Sequence, residues 1–148
     1  MNQRPKLKFP PVRLRARREG DDIFVWDELR GKFLLLTPEE WVRRHAIAFL
    51  SSHCGIEPTS IVQEYPVRLN GMAQRADIVT VGSDGEPQIL VECKAADVKI
   101  DGSVLAQAVR YNSVVGARYI ILTNGMTHYC YERTGDTYRT LASFPKMG

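Results

Sequence analysis

The spacing of apolar residues changes several times along the chain, and each change marks a boundary between predicted elements. Residues 23–26 and 33–36 are apolar runs on either side of a turn that contains Gly31, and they predict a β-hairpin. The period then becomes helical and predicts a helix over 38–53. Thr37-Pro38 supplies the N-cap and the first helical position, which is the usual start of a helix.

Three strands in succession are predicted after this helix. The first strand ends at Asn70-Gly71, a pair that favours a tight two-residue hairpin. The second strand ends before a turn at Asp84-Gly85, and the third follows that turn. The predicted ranges are 63–69, 72–81 and 87–94.

The remaining pattern predicts a second helix and two further strands. The helix begins near Asp101 or Ser103 and reaches about Val115. A strongly apolar strand, 118–123, follows it, and a turn at Asn124-Gly125 leads into a last strand over 127–132. The predicted fold is α/β (α+β) with a mixed sheet, an αβββαβ core and an added N-terminal β-hairpin.

Two carboxylates and a lysine fall on neighbouring predicted strands. Asp77 lies on the second of the three strands, and Glu92 and Lys94 lie on the third. Residues two apart on a strand point to the same face, and strand pairing can bring Asp77 beside them. Carboxylate oxygens suit hard divalent cations, and a nearby lysine amine can orient water or neutralise charge on phosphate. The pattern is typical of a magnesium-dependent phosphodiesterase.

A salt bridge between Glu92 and Lys94 is the alternative interpretation, because short motifs of this kind are common on exposed strands. The motif, however, ends an apolar run, 89–91, whose length predicts a buried strand. Charges at the end of a buried strand are costly unless they are paired or bind metal. The salt bridge would also leave Asp77 without an explanation.

The segment that ends at Lys94 resembles the PD-(D/E)XK nuclease superfamily. Asp77 matches the aspartate of its first half, and Glu92-Cys93-Lys94 matches E-X-K. Ala76 stands where the superfamily usually has proline, a departure that the superfamily tolerates. The predicted element order is also the common core of this superfamily, so the resemblance implies a restriction-endonuclease-like fold.

A second motif on the predicted second helix extends the resemblance. Gln107 and Tyr111 form a Q-x-x-x-Y, which is similar to an extra motif of nucleases fused to helicases. Residues four apart on a helix share one face, so both side chains can face the same site. The resemblance covers about 37–132, and it is nearest to small standalone proteins similar to the N-terminal domain of type I restriction endonuclease R subunits.

This resemblance implies roles for the matching residues. Asp77, Glu92 and the backbone carbonyl of Cys93 would hold Mg²⁺, for which Mn²⁺ would substitute. Lys94 would lie beside the attacking water. The remaining implied residues are Gln107 and Tyr111, which would support the lysine or contact DNA, and Glu40 on the first helix as an additional acid. The position of Glu40 in a capping box already gives it a structural reason.

Length and composition fit one soluble domain. The chain has 148 residues and 44% hydrophobic content, which is enough for a packed core and excludes a disordered protein. No long apolar run predicts a membrane span, and the N-terminus lacks a secretory signal, so we expect a cytoplasmic protein. The three cysteines are scattered and predict neither a disulfide framework nor a zinc site.

Basic residues are concentrated at the N-terminus. Residues 1–20 hold seven basic side chains and one acidic side chain, a local charge of +6, so the rest of the chain sums to −3. We interpret 1–20 as a basic arm before a single nuclease domain over 21–148. Such an arm suits contact with DNA phosphates. The alternation of Leu7, Phe9, Val12 and Leu14 with charged residues leaves an edge strand as an equal alternative.

Two hypotheses for function follow. The first is a metal-dependent DNA endonuclease, and the second is a nucleic-acid-binding or assembly module of the same fold that does not cut. No phosphate-binding G-x-x-x-x-G-K-[ST] loop occurs, so the chain cannot translocate DNA by itself. The expected partners are DNA and a separate helicase or restriction subunit, with a homodimer as a further expectation.

Overall fold

A three-stranded antiparallel sheet forms the N-terminal part of the molecule. The computed structural model describes residues 4–147. The small sheet consists of β1 (Ala16–Glu19), β2 (Asp22–Asp27) and β3 (Lys32–Leu35), in that order. The predicted hairpin corresponds to β2 and β3, and β1 adds a strand to its edge.

A six-stranded mixed sheet forms the rest of the scaffold, and its strands lie in chain order. All neighbours are antiparallel except β6 and β7, which are parallel because α2 carries the chain across between them. The strands are β4 (Ile61–Leu69), β5 (Met72–Val81), β6 (Pro87–Cys93), β7 (Tyr119–Thr123), β8 (His128–Thr134) and β9 (Thr137–Leu141). This confirms the predicted fold class, with β9 as an unpredicted addition at the sheet edge.

Two helices pack on this sheet, and each begins at a side-chain cap. α1 spans Pro38–Ser52, and the hydroxyl of Thr37 accepts a hydrogen bond from the Glu40 N–H at 3.0 Å. α2 spans Gly102–Val115, and the Asp101 carboxylate caps its first turn. A left-handed residue, Gly116, ends α2 with φ of 75°.

The apolar core lies on both faces of the large sheet. Successive residues of β6 alternate between the two clusters, so Ile89 and Val91 pack with α1 while Leu90 packs with α2. Val42 and Leu50 carry the contacts of α1, and both are buried. The end of β6 is thereby held between the helices.

The chain that precedes β1 is fixed to this core. Leu7 is buried, and its side chain lies so close to Gly125 that an added Cβ there would be 2.6 Å away. The backbone N–H of Lys8 donates to the Gly125 carbonyl at 2.7 Å, and Phe9 packs beside Phe49. Residues 7–14 are irregular, so the alternative interpretation of this stretch as an edge strand is wrong, and β1 starts at Ala16. The first three residues of the predicted arm lie outside the described residues.

Two further expectations can be compared with the described part of the chain. All three cysteines, Cys54, Cys93 and Cys130, are free and buried, which agrees with the absence of a predicted disulfide framework. Within 4–147, neither helix has the length and hydropathy that a membrane crossing requires.

Candidate metal centre

Two carboxylates occupy the end of the β5–β6 pair and bind each other's strand. The backbone N–H of Asp77 donates to Oε2 of Glu92 at 2.9 Å, and the N–H of Cys93 donates to Oδ2 of Asp77 at 2.7 Å. The regular backbone ladder reaches only the Ile78–Val91 pair. Beyond that pair the two side chains satisfy the backbone donors, so both carboxylates are fixed at the position where the strands part.

Burial makes this pair electrostatically unfavourable without a cation. Glu92 is 5% exposed. Burial raises the pKa of Glu92, and the neighbouring charge of Asp77 raises it further, to about 8. A divalent cation would offset both effects, since it neutralises the charge that desolvation and repulsion oppose. The donor set of two carboxylates therefore fits a hard metal ion.

Lys94 and Cys93 complete the predicted E-X-K sequence. Lys94 follows β6 directly, and its backbone N–H donates to the Thr123 carbonyl of β7 at 2.9 Å. The positive charge of Lys94 lowers the pKa of Glu92 against the larger effect of burial. Burial, followed by the charge of Asp77, raises the pKa of the Cys93 thiol well above its usual value, so the thiol is a poor metal ligand.

The predicted pair on α2 forms a hydrogen bond within one face of the helix. The side-chain amide of Gln107 donates to the hydroxyl of Tyr111 at 3.1 Å. Gln107 is half-buried and Tyr111 is buried. Burial raises the pKa of Tyr111, and the charges of Glu92 and Asp77 raise it further, so the phenol lies within their electrostatic reach. The ring of Tyr111 packs with Val104 and Ala108 in the apolar core on the α2 side of the sheet.

Glu40 has other partners in the structure. Its two carboxylate oxygens accept hydrogen bonds from Arg43 at 3.0 Å and from Arg44 at 2.8 Å, in addition to its place in the α1 cap. The acid of α1 that is coupled to the centre is Glu39. Burial raises the pKa of Glu39, the charge of Asp77 raises it further, and Lys94 lowers it. The expectation for Glu40 came from the family resemblance, and the local sequence pattern does not distinguish Glu40 from its neighbour Glu39.

A buried ion network fixes α1 against the small sheet. Asp27 at the end of β2 is 0% exposed. Its carboxylate lies 3.2 Å from Nη1 of Arg44, and it also accepts hydrogen bonds from Arg30 and Gln63. Burial raises the pKa of Asp27, but Arg30, Gln63 and Arg44 together outweigh that effect and lower it to about 2. The network aligns the start of α1, and thus Glu39, with β4.

The candidate metal centre offers few protein side chains as ligands. Among residues 4–147, no group of three or more His, Cys, Asp or Glu side chains is close enough to hold a metal ion. A cation at Asp77 and Glu92 would therefore complete its coordination with oxygens of the backbone, of water or of a phosphate. The histidines have hydrogen-bond partners away from this centre. Nε2 of His128, for example, lies 2.8 Å from the Lys8 carbonyl.

Comparisons with known proteins agree with the fold. The family described as type I restriction enzyme R protein N terminus matches residues 38–145. A solved fragment structure of an HsdR subunit of a type I restriction enzyme from Vibrio vulnificus YJ016 superposes with a TM-score of 0.57 at 23% identity over 75% of this chain. The aligned part is 24% of that fragment's chain. No curated protein matches.

Proposed function

This chain belongs to the family of type I restriction enzyme R protein N termini, and on that premise we propose that it hydrolyses DNA phosphodiester bonds with the help of a divalent cation. The observation that carries the proposal is the pair of fixed carboxylates formed by the half-buried Asp77 and the buried Glu92, two residues before Lys94 in the chain. A structural ion pair would not require two acids to hold each other's strands. Two acids that are fixed together, one of them almost completely buried, are arranged to bind a cation.

Asp77 and Glu92 would hold the metal, with Mg²⁺ as the expected ion, Mn²⁺ as a substitute and the Cys93 carbonyl as a further ligand. When bound, the cation would act as a Lewis acid and would lower the pKa of a water molecule that it coordinates. Lys94 follows the strand that carries Glu92, so its ammonium can hydrogen-bond both the water and a non-bridging phosphate oxygen. That contact stabilises the charge that accumulates as water attacks phosphorus.

The α2 pair has a positioning role in this proposal. The Gln107 amide fixes the hydroxyl of Tyr111, and Tyr111 lies within electrostatic reach of both carboxylates. A phenol fixed in this way can hydrogen-bond a phosphate oxygen or the Lys94 amine without a loss of side-chain entropy. Glu39 adds a third negative charge near Asp77 and replaces Glu40 as the acid contributed by α1.

A second candidate function is a DNA-binding or assembly module that works with a helicase or restriction subunit and does not cut. The observation that favours it is that, within 4–147, no group of three or more His, Cys, Asp or Glu side chains is placed to hold a metal ion. Both candidates place the chain in a restriction system, and only the first requires Lys94.

Replacement of Lys94 by alanine separates the two candidates. We expect the wild type to nick or cut plasmid DNA with Mg²⁺ or Mn²⁺ and to be inactive with a chelator. Lys94→Ala should lose about 100-fold or more of that activity, since loss of one charge-stabilising donor costs a factor of this order. Fluorescence anisotropy should show nearly unchanged DNA binding by this variant.

Lys99→Ala is the matched control, because Lys99 is an exposed lysine on the loop that follows the motif. Both variants should have the melting temperature of the wild type and Lys99→Ala should retain full activity. Equal cutting by Lys94→Ala and the wild type would exclude the site that contains Lys94 as the source of the cutting. A wild type that binds DNA and never cuts it would favour the binding module.

A further inference from the structure

The side chain of Arg43, on α1, lies between α1 and β5, the strand that carries Asp77. Its side chain is 12% exposed, and Nη2 donates to Oε1 of Glu40 at 3.0 Å. Nη1 lies 4.0 Å from Oδ1 of Asp77. Burial lowers the pKa of Arg43, but the charges of Glu40 and Asp77 outweigh burial and raise it, so the guanidinium stays charged. A fixed positive charge is therefore built into the edge of the carboxylate pair.

The backbone of β4 is distorted where it passes this arginine. Glu64 has a φ of 53°, a left-handed conformation that residues with a Cβ rarely adopt within a strand. The β4–β5 ladder pairs Gln63 with Ile78 and Tyr65 with Ala76, and it omits the position at which Glu64 faces Asp77. An unfavourable backbone conformation that persists at such a point indicates a functional constraint.

The distortion leaves Glu64 beside the same guanidinium. Oε1 of Glu64 is 3.9 Å from Nη1 of Arg43, the nitrogen that also faces Asp77. The other oxygen, Oε2, lies 3.4 Å from Arg75 on β5. Arg43 is thus shared between Glu40, Glu64 and Asp77, which lie on three different elements.

We propose that Arg43 is a positioning residue that serves as the internal counter-ion of Asp77, and that Glu64 limits how strongly it does so. In the metal-free protein the guanidinium attracts the Asp77 carboxylate and offsets the repulsion between Asp77 and Glu92. The same charge repels a cation that binds at Asp77, so Arg43 keeps the affinity for the metal low. This inference rests on the proposed function, because it assumes a cation at Asp77.

The affinity of the metal-free protein for Mn²⁺ tests the proposal without any measurement of cutting. Isothermal titration with Mn²⁺ alone should show Arg43→Gln binding on the order of tenfold tighter than the wild type, because one positive charge has left the neighbourhood of a doubly charged ion. Arg43→Lys, which retains the charge, should bind Mn²⁺ nearly as the wild type does.

Arg75→Gln is the matched control. Arg75 also contacts Glu64, and its side chain is 72% exposed, but it makes no ion pair with Asp77 among the described residues. Its removal should leave the Mn²⁺ affinity within about twofold of the wild type, because exposed pairs are well screened. A purely structural Arg43 predicts lower stability for Arg43→Gln with an unchanged or weaker Mn²⁺ affinity, and that result would overturn the proposal.

Glu64→Gln keeps the proposal testable if Arg43→Gln does not fold. With one acid removed, the charge of Arg43 acts more fully on Asp77, so Mn²⁺ should bind several-fold more weakly. Unchanged or tighter binding by Glu64→Gln would overturn the proposal. If the wild type and Asp77→Asn bind Mn²⁺ equally, the metal site itself fails and the role of Arg43 with it. If Asp77 matters and the charge at residue 43 does not, only this inference fails.

Discussion

At the residue scale, the candidate metal centre consists of two neighbouring carboxylates whose negative charges repel each other. Each carboxylate of the Asp77–Glu92 pair accepts a backbone hydrogen bond, yet Glu92 is almost completely buried beside a second negative charge. The balance is a raised pKa for Glu92. A proton and a metal ion therefore compete for the same group, and the pH of the solution decides how much of the pair is available.

The stability of the metal-free protein should fall as pH rises through the titration of Glu92. The pKa of Glu92 is raised from 4.5 to about 8, so the folded state binds more protons than the unfolded state between those values. The contribution of protonated Glu92 to the free energy of unfolding is complete below about pH 4.5 and is lost by about pH 8. Thermal melts in chelator at pH 5, 6.5 and 8 measure this decline.

Asp77→Asn provides the comparison for that experiment. Removal of the neighbouring charge lowers the pKa of Glu92 toward its ordinary value, so the variant should lose less stability between pH 5 and 8. At pH 8 its metal-free melting temperature should equal or exceed that of the wild type. An equal decline in melting temperature from pH 5 to pH 8 in Asp77→Asn and in the wild type would show that the charge of Asp77 does not raise the pKa of Glu92.

At the scale of elements, the orientation of α2 determines which of its side chains lie on the face of the large sheet that it covers. The side chain of Asn112 accepts from the Ala117 N–H at 2.7 Å and donates to the Ala117 carbonyl at 2.9 Å, which fixes the end of the helix. Its amide also donates to the hydroxyl of Tyr138 on β9 at 2.8 Å. The rotation of α2 about its axis is thus set by contacts at its end, and Tyr111 is buried on the same side of the sheet as Val104 and Ala108.

Gln107→Ala should reduce cleavage about tenfold while it changes DNA binding by less than twofold, since loss of an interaction that acts mainly in the transition state lowers kcat. The physical reason is that the Tyr111 hydroxyl loses its hydrogen-bond donor. Arg110→Ala, an exposed substitution on the same helix, tests for general damage to α2. Parallel losses of binding and cleavage in Gln107→Ala would contradict a positioning role.

At the scale of the whole molecule, the N-terminal segment is both a part of the core and a carrier of charge. Leu7 packs against Gly125 in the turn between β7 and β8, and Asp27 joins the small sheet to α1. A deletion of residues 1–18 would remove a buried leucine, and the truncation of such a residue alone costs about 2–5 kcal/mol. The basic charge must therefore be tested by substitution.

Replacement of four exposed basic side chains in this segment by glutamine should weaken DNA binding and flatten its dependence on salt, because fewer counterions are released. The substituted residues are Lys6, Lys8, Arg13 and Arg18, which are all exposed. The slope of log Kd against log salt should fall by about 0.9 for each DNA phosphate that the segment no longer neutralises. A variant that exchanges lysine and arginine at the same positions should retain the slope, and an unchanged slope in the glutamine variant would exclude the segment from the DNA interface.

Features that depend on a few consecutive residues were predicted well from the sequence alone. Thr37 caps α1 as expected, and Asn70-Gly71 forms the turn between β4 and β5 with φ of 51° and 76°. These turns and caps involve contacts within about four residues, so the chain determines them locally. The order of elements and the meeting of Asp77 with the E-X-K segment follow from them, because a short turn leaves antiparallel strands few alternatives in register.

Only the tertiary structure decided which charged residues share the centre. Glu39 and Glu40 are adjacent in sequence, and the choice between them depends on Asp77, Lys94 and the arginines that surround each glutamate in space. The left-handed Glu64 and the proximity of Arg43 to Asp77 likewise have no local signal. Electrostatic partners are set by packing between distant segments, and helical or strand periodicity carries no information about them.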